Sequence, residues 1–206
     1  MREWPAKSFL GGHAVLDFLN TAGGDSKARD VDRLESFSDL LTWAKASAII
    51  DNHEFSALER IAAQSPDAAF ERLREVRKQR ECLYRYIIAV ASRAAVQQAD
   101  RDLVERNCKV AFRQAQLLPG LTGVSQWQIR LDDVGLRLVK LRLDLATSTL
   151  ITGAVSANIR QCEMCTWLFI DPSSSKRRRW CSMALCGNRA KVQRHYYRSR
   201  DSEAPR

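Results

Sequence analysis

Cys162-Glu163-Met164-Cys165 is followed, after 15 intervening residues, by Cys181-Ser182-Met183-Ala184-Leu185-Cys186. Two close cysteine pairs at that separation have the spacing of a structural zinc site. The C-x-x-C turn offers two thiolates to one tetrahedral ion at about 2.3 Å, and a second element must supply the other two. Four thiolates close the coordination shell, so the expected cofactor is one Zn2+ per chain with a structural and not a catalytic part. Disulfides and a thiolate redox switch are the competing uses, and both suit a reducing compartment less well. Cys82 and Cys108 stand apart on apolar helical stripes and read as small core residues.

The second chemical signal is cationic. Residues 157–206 hold 11 Lys+Arg against 4 Asp+Glu, which is +7 of the whole chain's +9. A divalent ion within four thiolates carries −2, so about +5 survives metal binding. Lys191, Arg194, His195 and Arg198 recur at three- and four-residue steps and line one face of a helix. Arg189 and the run Lys176-Arg177-Arg178-Arg179 flank it, and Tyr196 and Tyr197 add aromatic surface. Guanidinium forks pair bidentately with phosphate oxygens or a guanine edge, so these nine residues form the candidate nucleic-acid interface. The quieter reading has Arg178 or Arg179 donating to thiolates or to Asp171, and Asn188 and Arg189 locking the helix onto the knuckle.

Asp17, Asn20 and Thr21 form a candidate polar ligand site. The competing reading is that they satisfy backbone groups where the chain enters its first helix. His13 and His53 have no partner at useful spacing, and Asp132-Asp133 reads as a solvated helix start. No G-x-S-x-G, P-loop, G-x-G-x-x-G or H-E-x-x-H occurs, so the sequence carries no catalytic motif.

Helices must position most of these groups. Ser36 and Asp39 precede an amphipathic turn pattern, and a second helix starts at Asp51 or Asn52. Ser65-Pro66-Asp67 is a stop followed by a start. Phe70, Leu73, Val76, Arg77, Cys82, Leu83, Tyr86, Ile87 and Val90 then give the longest stripe, followed by a helix opening at Asp100 or Asp102. A small hairpin is expected between Leu117 and Leu131; Leu141–Leu145 alternates as a strand would, but the stripe Val134, Leu138, Leu141 and Leu145 reads 136–145 as helix, with a boundary at Gly153. In the finger, Trp167–Ile170 and Arg178–Trp180 are expected to pair as a hairpin, followed by a helix from Arg189.

The 206 residues are 45% apolar and 28% charged, the balance of a globular chain. The longest uncharged stretch, Gln114 to Ile129, is 16 residues and broken by Pro119, Gly120 and Gly123, too short to span a bilayer. Met1–Pro5 begins no apolar stretch, so no secretory signal and no membrane partner are expected, and the location read from the sequence is cytoplasmic. The fold expected is mainly α with a small β-hairpin (α+β) and a C-terminal finger of treble-clef or zinc-ribbon type. Residues 1–155 form the helical domain and 156–206 the finger with its basic helix. A segment near 50 residues buries little alone, so the metal must staple it, at roughly 10–16 kcal/mol of apparent binding energy.

Arg178 to Lys191, with Cys186-Gly187-Asn188-Arg189 at its centre, resembles the signature of the CGNR zinc finger family. Cys162-x-x-Cys165 and Trp167-Leu168-Phe169-x-Asp171 are similar to the same family. Leu16-Asp17-Phe18-Leu19-Asn20-Thr21, Leu34, Asp39-Leu40-Leu41 and Trp43-Ala44 resemble the ABATE domain that precedes this finger, with His13-Ala14-Val15 a departure from it. The resemblance implies a bacterial, stress-linked transcription regulator with a DNA-binding finger, DNA being favoured over RNA. A homodimer would double the contacts of a single short helix. The alternative is a zinc-stapled protein-interaction or ligand-sensing protein that binds no nucleic acid.

Overall fold

A computed structural model describes residues 2–120 and 123–203, with side chains as far as Tyr196. The body is helical. His13 opens α1 (Ala14–Leu19), its ring nitrogen accepting from the Val15 N–H at 3.2 Å. Val15, Leu16, Phe18 and Leu19 are all fully buried, so α1 is the spine of the core. It packs against α4 (Pro66–Ala91), α7 (Leu138–Thr152) and β4 (Leu168–Ile170).

The other helices start where side chains satisfy their free N–H groups. α2 (Phe37–Ala46) opens with a capping box in which Ser36 and Asp39 bond each other's backbone N–H. α3 (Asn52–Gln64) opens the same way through Asp51 and Glu54. Ser65 ends α3 and Pro66 takes the first position of α4, where its missing N–H costs nothing. α5 (Gln98–Gln114) begins two residues before Asp100, whose carboxylate is drawn instead to Arg85 at 2.5 and 2.8 Å. Phe18 and Trp43 meet with ring centroids 5.6 Å apart in the centre. Two members of the α4 stripe lie outside the core: Phe70 is 63% and Val90 51% exposed, because the stripe outruns the neighbours that cover its middle.

β1 (Gln116–Leu118) and β2 (Gln126–Gln128) form an exposed antiparallel hairpin with Leu117 opposite Trp127. A short turn α6 (Leu131–Val134) carries exposed Asp132 and Asp133 at its start. Gly153 caps α7, and a 3-10 turn over Ala154–Asn158 leads into the finger.

In the finger, β3 (Ile159–Gln161) pairs antiparallel with β4, Ile159 opposite Ile170 and Gln161 opposite Leu168. This corrects the expected hairpin: Arg178–Trp180 is not a strand. Asp171 ends β4, and its carboxylate takes N–H groups of Ser173 and Arg178, closing 172–178 into a loop. A π-helical turn, Met183–Gly187, runs into α8 (Asn188–Glu203). Among the described residues no helix is long and apolar enough to cross a membrane.

Candidate metal centre and basic helix

The β3–β4 hairpin folds because its alternating residues have two destinations. Ile159 and Leu168 join the core of the body, whereas Phe169 and Trp167 pack around the cysteines. The knuckle between the strands is closed by the Cys162 N–H donating to the Trp167 carbonyl at 2.9 Å. Lys27 of the body reaches across to the Cys162 and Cys165 carbonyls at 2.8 and 3.4 Å. Cys181 precedes the π turn and Cys186 lies within it, where the Gly187 N–H reaches back to the Ser182 carbonyl at 3.0 Å. A Cβ on Gly187 would stand 2.6 Å from the Met183 sulfur, so a larger residue there would push the Met183 side chain aside.

The four sulfurs of Cys162, Cys165, Cys181 and Cys186 lie within 4.8 Å of one another, and all four residues are buried. Cys165 to Cys181 measures 3.9 Å and Cys181 to Cys186 3.5 Å. Sulfurs about 2.3 Å from a tetrahedral ion stand about 3.8 Å apart, so the arrangement fits a four-thiolate metal shell. A disulfide would need about 2.05 Å. Held together without a cation, the thiols cannot all ionise. Cys162 is driven down because the Cys165 and Cys181 thiols bond to its sulfur. Cys165 is pushed up chiefly by that bond, and Cys181 is pushed up by Cys162 and Cys165. A divalent ion removes the conflict and is the natural occupant.

Donors outside the shell orient the sulfurs. The Trp167 N–H points at Cys165 Sγ at 3.5 Å, and the Arg189 guanidinium at Cys186 Sγ at 2.8 Å. Arg189 also donates to the carbonyls of Gly24, at 3.3 Å, and Asp25. Gly24 rests on the Trp167 indole: a Cβ there would lie 2.3 Å from Nε1, and its φ is +100°. One arginine thus links a metal ligand to the body.

The nine basic residues separate by their partners. Arg178 donates to the carbonyls of Trp180 at 3.0 Å, Ile170 at 3.4 Å and Cys181, and covers the Phe169 ring at 4.2 Å. Arg179 forks onto Glu163, and Lys176 donates to the Asp171 carbonyl at 3.1 Å. Asp171 itself is held below the usual carboxylate range by the Ser173 hydroxyl and by backbone N–H groups of Arg178 and Ser173. Arg177, Lys191 and Arg194 are exposed and make no side-chain hydrogen bond or ion pair among the described residues. His195 is exposed on α8 beside Arg194. Arg198 lies on α8, but its side chain is outside the described residues, as is that of Tyr197.

Asp17, Asn20 and Thr21 are all buried, and each has a partner within the chain. Asp17 accepts the Gly11 N–H at 2.7 Å, and burial raises its carboxyl to about 6. Asn20 grips the Leu168 peptide from both sides, donating to its carbonyl and accepting from its N–H at 2.8 Å each. Thr21 donates to the Phe18 carbonyl and accepts from Arg80, which forks onto Asp32. Sequence reasoning missed the joint this makes: Gly24, Lys27 and Tyr84, whose hydroxyl meets the Thr166 carbonyl at 2.9 Å. Their partners in the finger are 77 to 165 positions away, so no local spacing marks them.

Fold and site together define a four-cysteine zinc finger docked on an α-helical body. Residues 158–199 match the CGNR zinc finger. Residues 12–154 match the ABATE family, described as "Putative stress-induced transcription regulator", and the chain belongs to that family. Neither is a family of enzymes. A search of curated proteins finds no match.

Proposed function

We propose that this protein is a cytoplasmic, zinc-containing transcription regulator that binds DNA through α8, with Zn2+ as the structural ion of the cysteine shell. The observation that carries the reading is the exposed face of α8, where Lys191 and Arg194 have no competing acid among the described residues. A helix fixed to a rigid metal knuckle and presenting unpaired cations is suited to phosphate contacts. Arg177, on the loop before the second cysteine pair, adds to the same charge. The ABATE description as a regulator supports the DNA reading over an enzymatic one. Arg189 and Lys27 anchor the finger and the first turn of α8 to the body.

A salt series tests this. The logarithm of affinity for duplex DNA should fall with the logarithm of salt at about −0.9 per phosphate neutralised. Lys191→Ala with Arg194→Ala should flatten that slope by about 2 while metal content stays at one ion per chain. An affinity that ignores salt, or a double variant that binds as tightly as the parent, overturns the proposal. Metal analysis that returns iron and not zinc would overturn the assignment of the ion.

A second reading has one observation in its favour. Lys176, Arg178, Arg179 and Arg189 spend their charge inside the chain, so four of the nine candidate contacts serve the finger's own structure. A finger used for docking another protein would show full metal occupancy and no salt-sensitive affinity for either nucleic acid.

A further inference from the structure

Helix α8 has two faces, and only one is cationic. Arg189, Val192, Gln193 and Tyr196 recur at three- and four-residue steps on the other face and line a cavity of about 1060 Å³ between finger and body. Lys191, Arg194 and His195 do not line it. Its size is that of clefts that hold small organic ligands, about 300–1,000 Å³. The walls are apolar: Met164 and Trp167 of the knuckle, Leu185 of the π turn, and Val192 and Tyr196 of α8. Leu185, Val192 and Tyr196 are 38%, 70% and 57% exposed, a concentration of uncovered apolar surface that a solvated helix has no use for.

The rim is charged, and unevenly so. Arg33 is matched by Asp25, and Arg189 by the Cys186 sulfur. Lys7, from the 3-10 turn Ala6–Ser8, faces the same cavity with no ion pair among the described residues. One positive charge without an ion pair in a mainly apolar lining that includes an indole suits a single negative charge on an aromatic body.

We propose that this junction is a binding site for a small aromatic carboxylate, its ring system between Trp167, Leu185 and Val192 and its carboxylate at Lys7. The occupant would touch the body at Lys7 and Arg33 and α8 at Val192 and Tyr196 at once. Its binding therefore stiffens the helix against the body and changes affinity for nucleic acid. That coupling rests on the DNA reading above; the cleft does not.

The test titrates the full-length, metal-loaded protein with 1-naphthoate and with neutral 1-naphthamide, followed by calorimetry. The expected result is saturable 1:1 binding of naphthoate with Kd below about 1 mM, and naphthamide weaker by about tenfold. Lys7→Ala should erase that preference. Val192→Asp, at an exposed helical position, should weaken naphthoate by about tenfold with metal content and helicity unchanged. Equal binding by Val192→Asp, no preference for the anion, or no saturation by about 5 mM overturns the site. A helical apolar peptide that binds while naphthoate does not also overturns it, in favour of protein docking. If DNA binds, naphthoate should move its Kd by at least about threefold, and an unchanged Kd overturns the coupling. If no DNA binds yet naphthoate shows the profile above, the DNA reading falls and the ligand site stands.

Discussion

Asp144 shows how a single buried group ties stability to pH. It is 2% exposed, with Lys140 at 2.8 Å and the Gln79 amide on its other oxygen, yet burial still raises its carboxyl to about 6 from an ordinary 3.8. A carboxyl whose value is raised on folding contributes most below the unfolded value and loses that contribution as pH rises through the folded one. The window is therefore pH 4 to 6. Asp144→Asn removes this titration, so the variant's stability relative to the parent should rise by about 1–3 kcal/mol between pH 4 and pH 7. Urea unfolding of both proteins across that range measures it, and a constant difference would refute the assignment. Arg178 makes the opposite kind of contribution, as donor to carbonyls around the second cysteine pair. Arg178→Ala should leave those carbonyls unpaired at about 1–3 kcal/mol and let a chelator strip the metal sooner. Arg177→Ala, one residue away and unpartnered, should leave metal retention unchanged.

Elements begin where their caps are, and the caps are measurable. Ser36 and Asp39 satisfy each other's backbone N–H at the start of α2, with distances of 2.9 and 3.1 Å. Ser36→Ala should cost about 1 kcal/mol in unfolding free energy, whereas Ser38→Ala inside the same first turn should stay within about 0.5 kcal/mol. Equal losses would mean the box does not set the helix start. The π turn is the corresponding device in the finger. It carries Cys186 toward Cys181 and runs directly into α8, so the metal ligands and the cationic face are neighbours along the chain.

At the scale of the molecule, finger and body are one folded object. Ile159 and Leu168 belong to the body's core, Asn20 holds the Leu168 peptide, and the Ile170 N–H donates to the Gly11 carbonyl at 2.9 Å. Removing the metal should therefore loosen more than the finger. Hydrogen exchange before and after chelation should show the amides of α1 losing protection together with those of β4. Unchanged protection in α1 would mean that the two parts unfold independently. The same continuity gives a ligand held between Lys7 and Val192 a direct mechanical route to α8.

Much of this was legible in the chain, because it depends on near neighbours. Cys162-x-x-Cys165, the capping signals at Ser36 and Asp51, Pro66 at the start of α4 and the Gly153 stop are all set by contacts within a few residues. The leucine stripe over 136–145 resolves as helix for the same reason. The finger hairpin was misread because Trp167–Ile170 has the pattern of a strand but carries no mark of its partner. The choice of Ile159–Gln161 over Arg178–Trp180 is made by the body, which buries Ile159 and Leu168 together, and by Asp171, whose carboxylate closes 172–178 into a loop. Spacing along α8 likewise says which cations share a face but not which face the body covers. Local stereochemistry and ligand spacing thus determined the helices, the caps and the four-thiolate shell. Only the tertiary structure decided which arginines face inward and where finger meets body, since Asn20 and Leu168 are 148 positions apart and their peptide-to-amide fit exists only once both are buried.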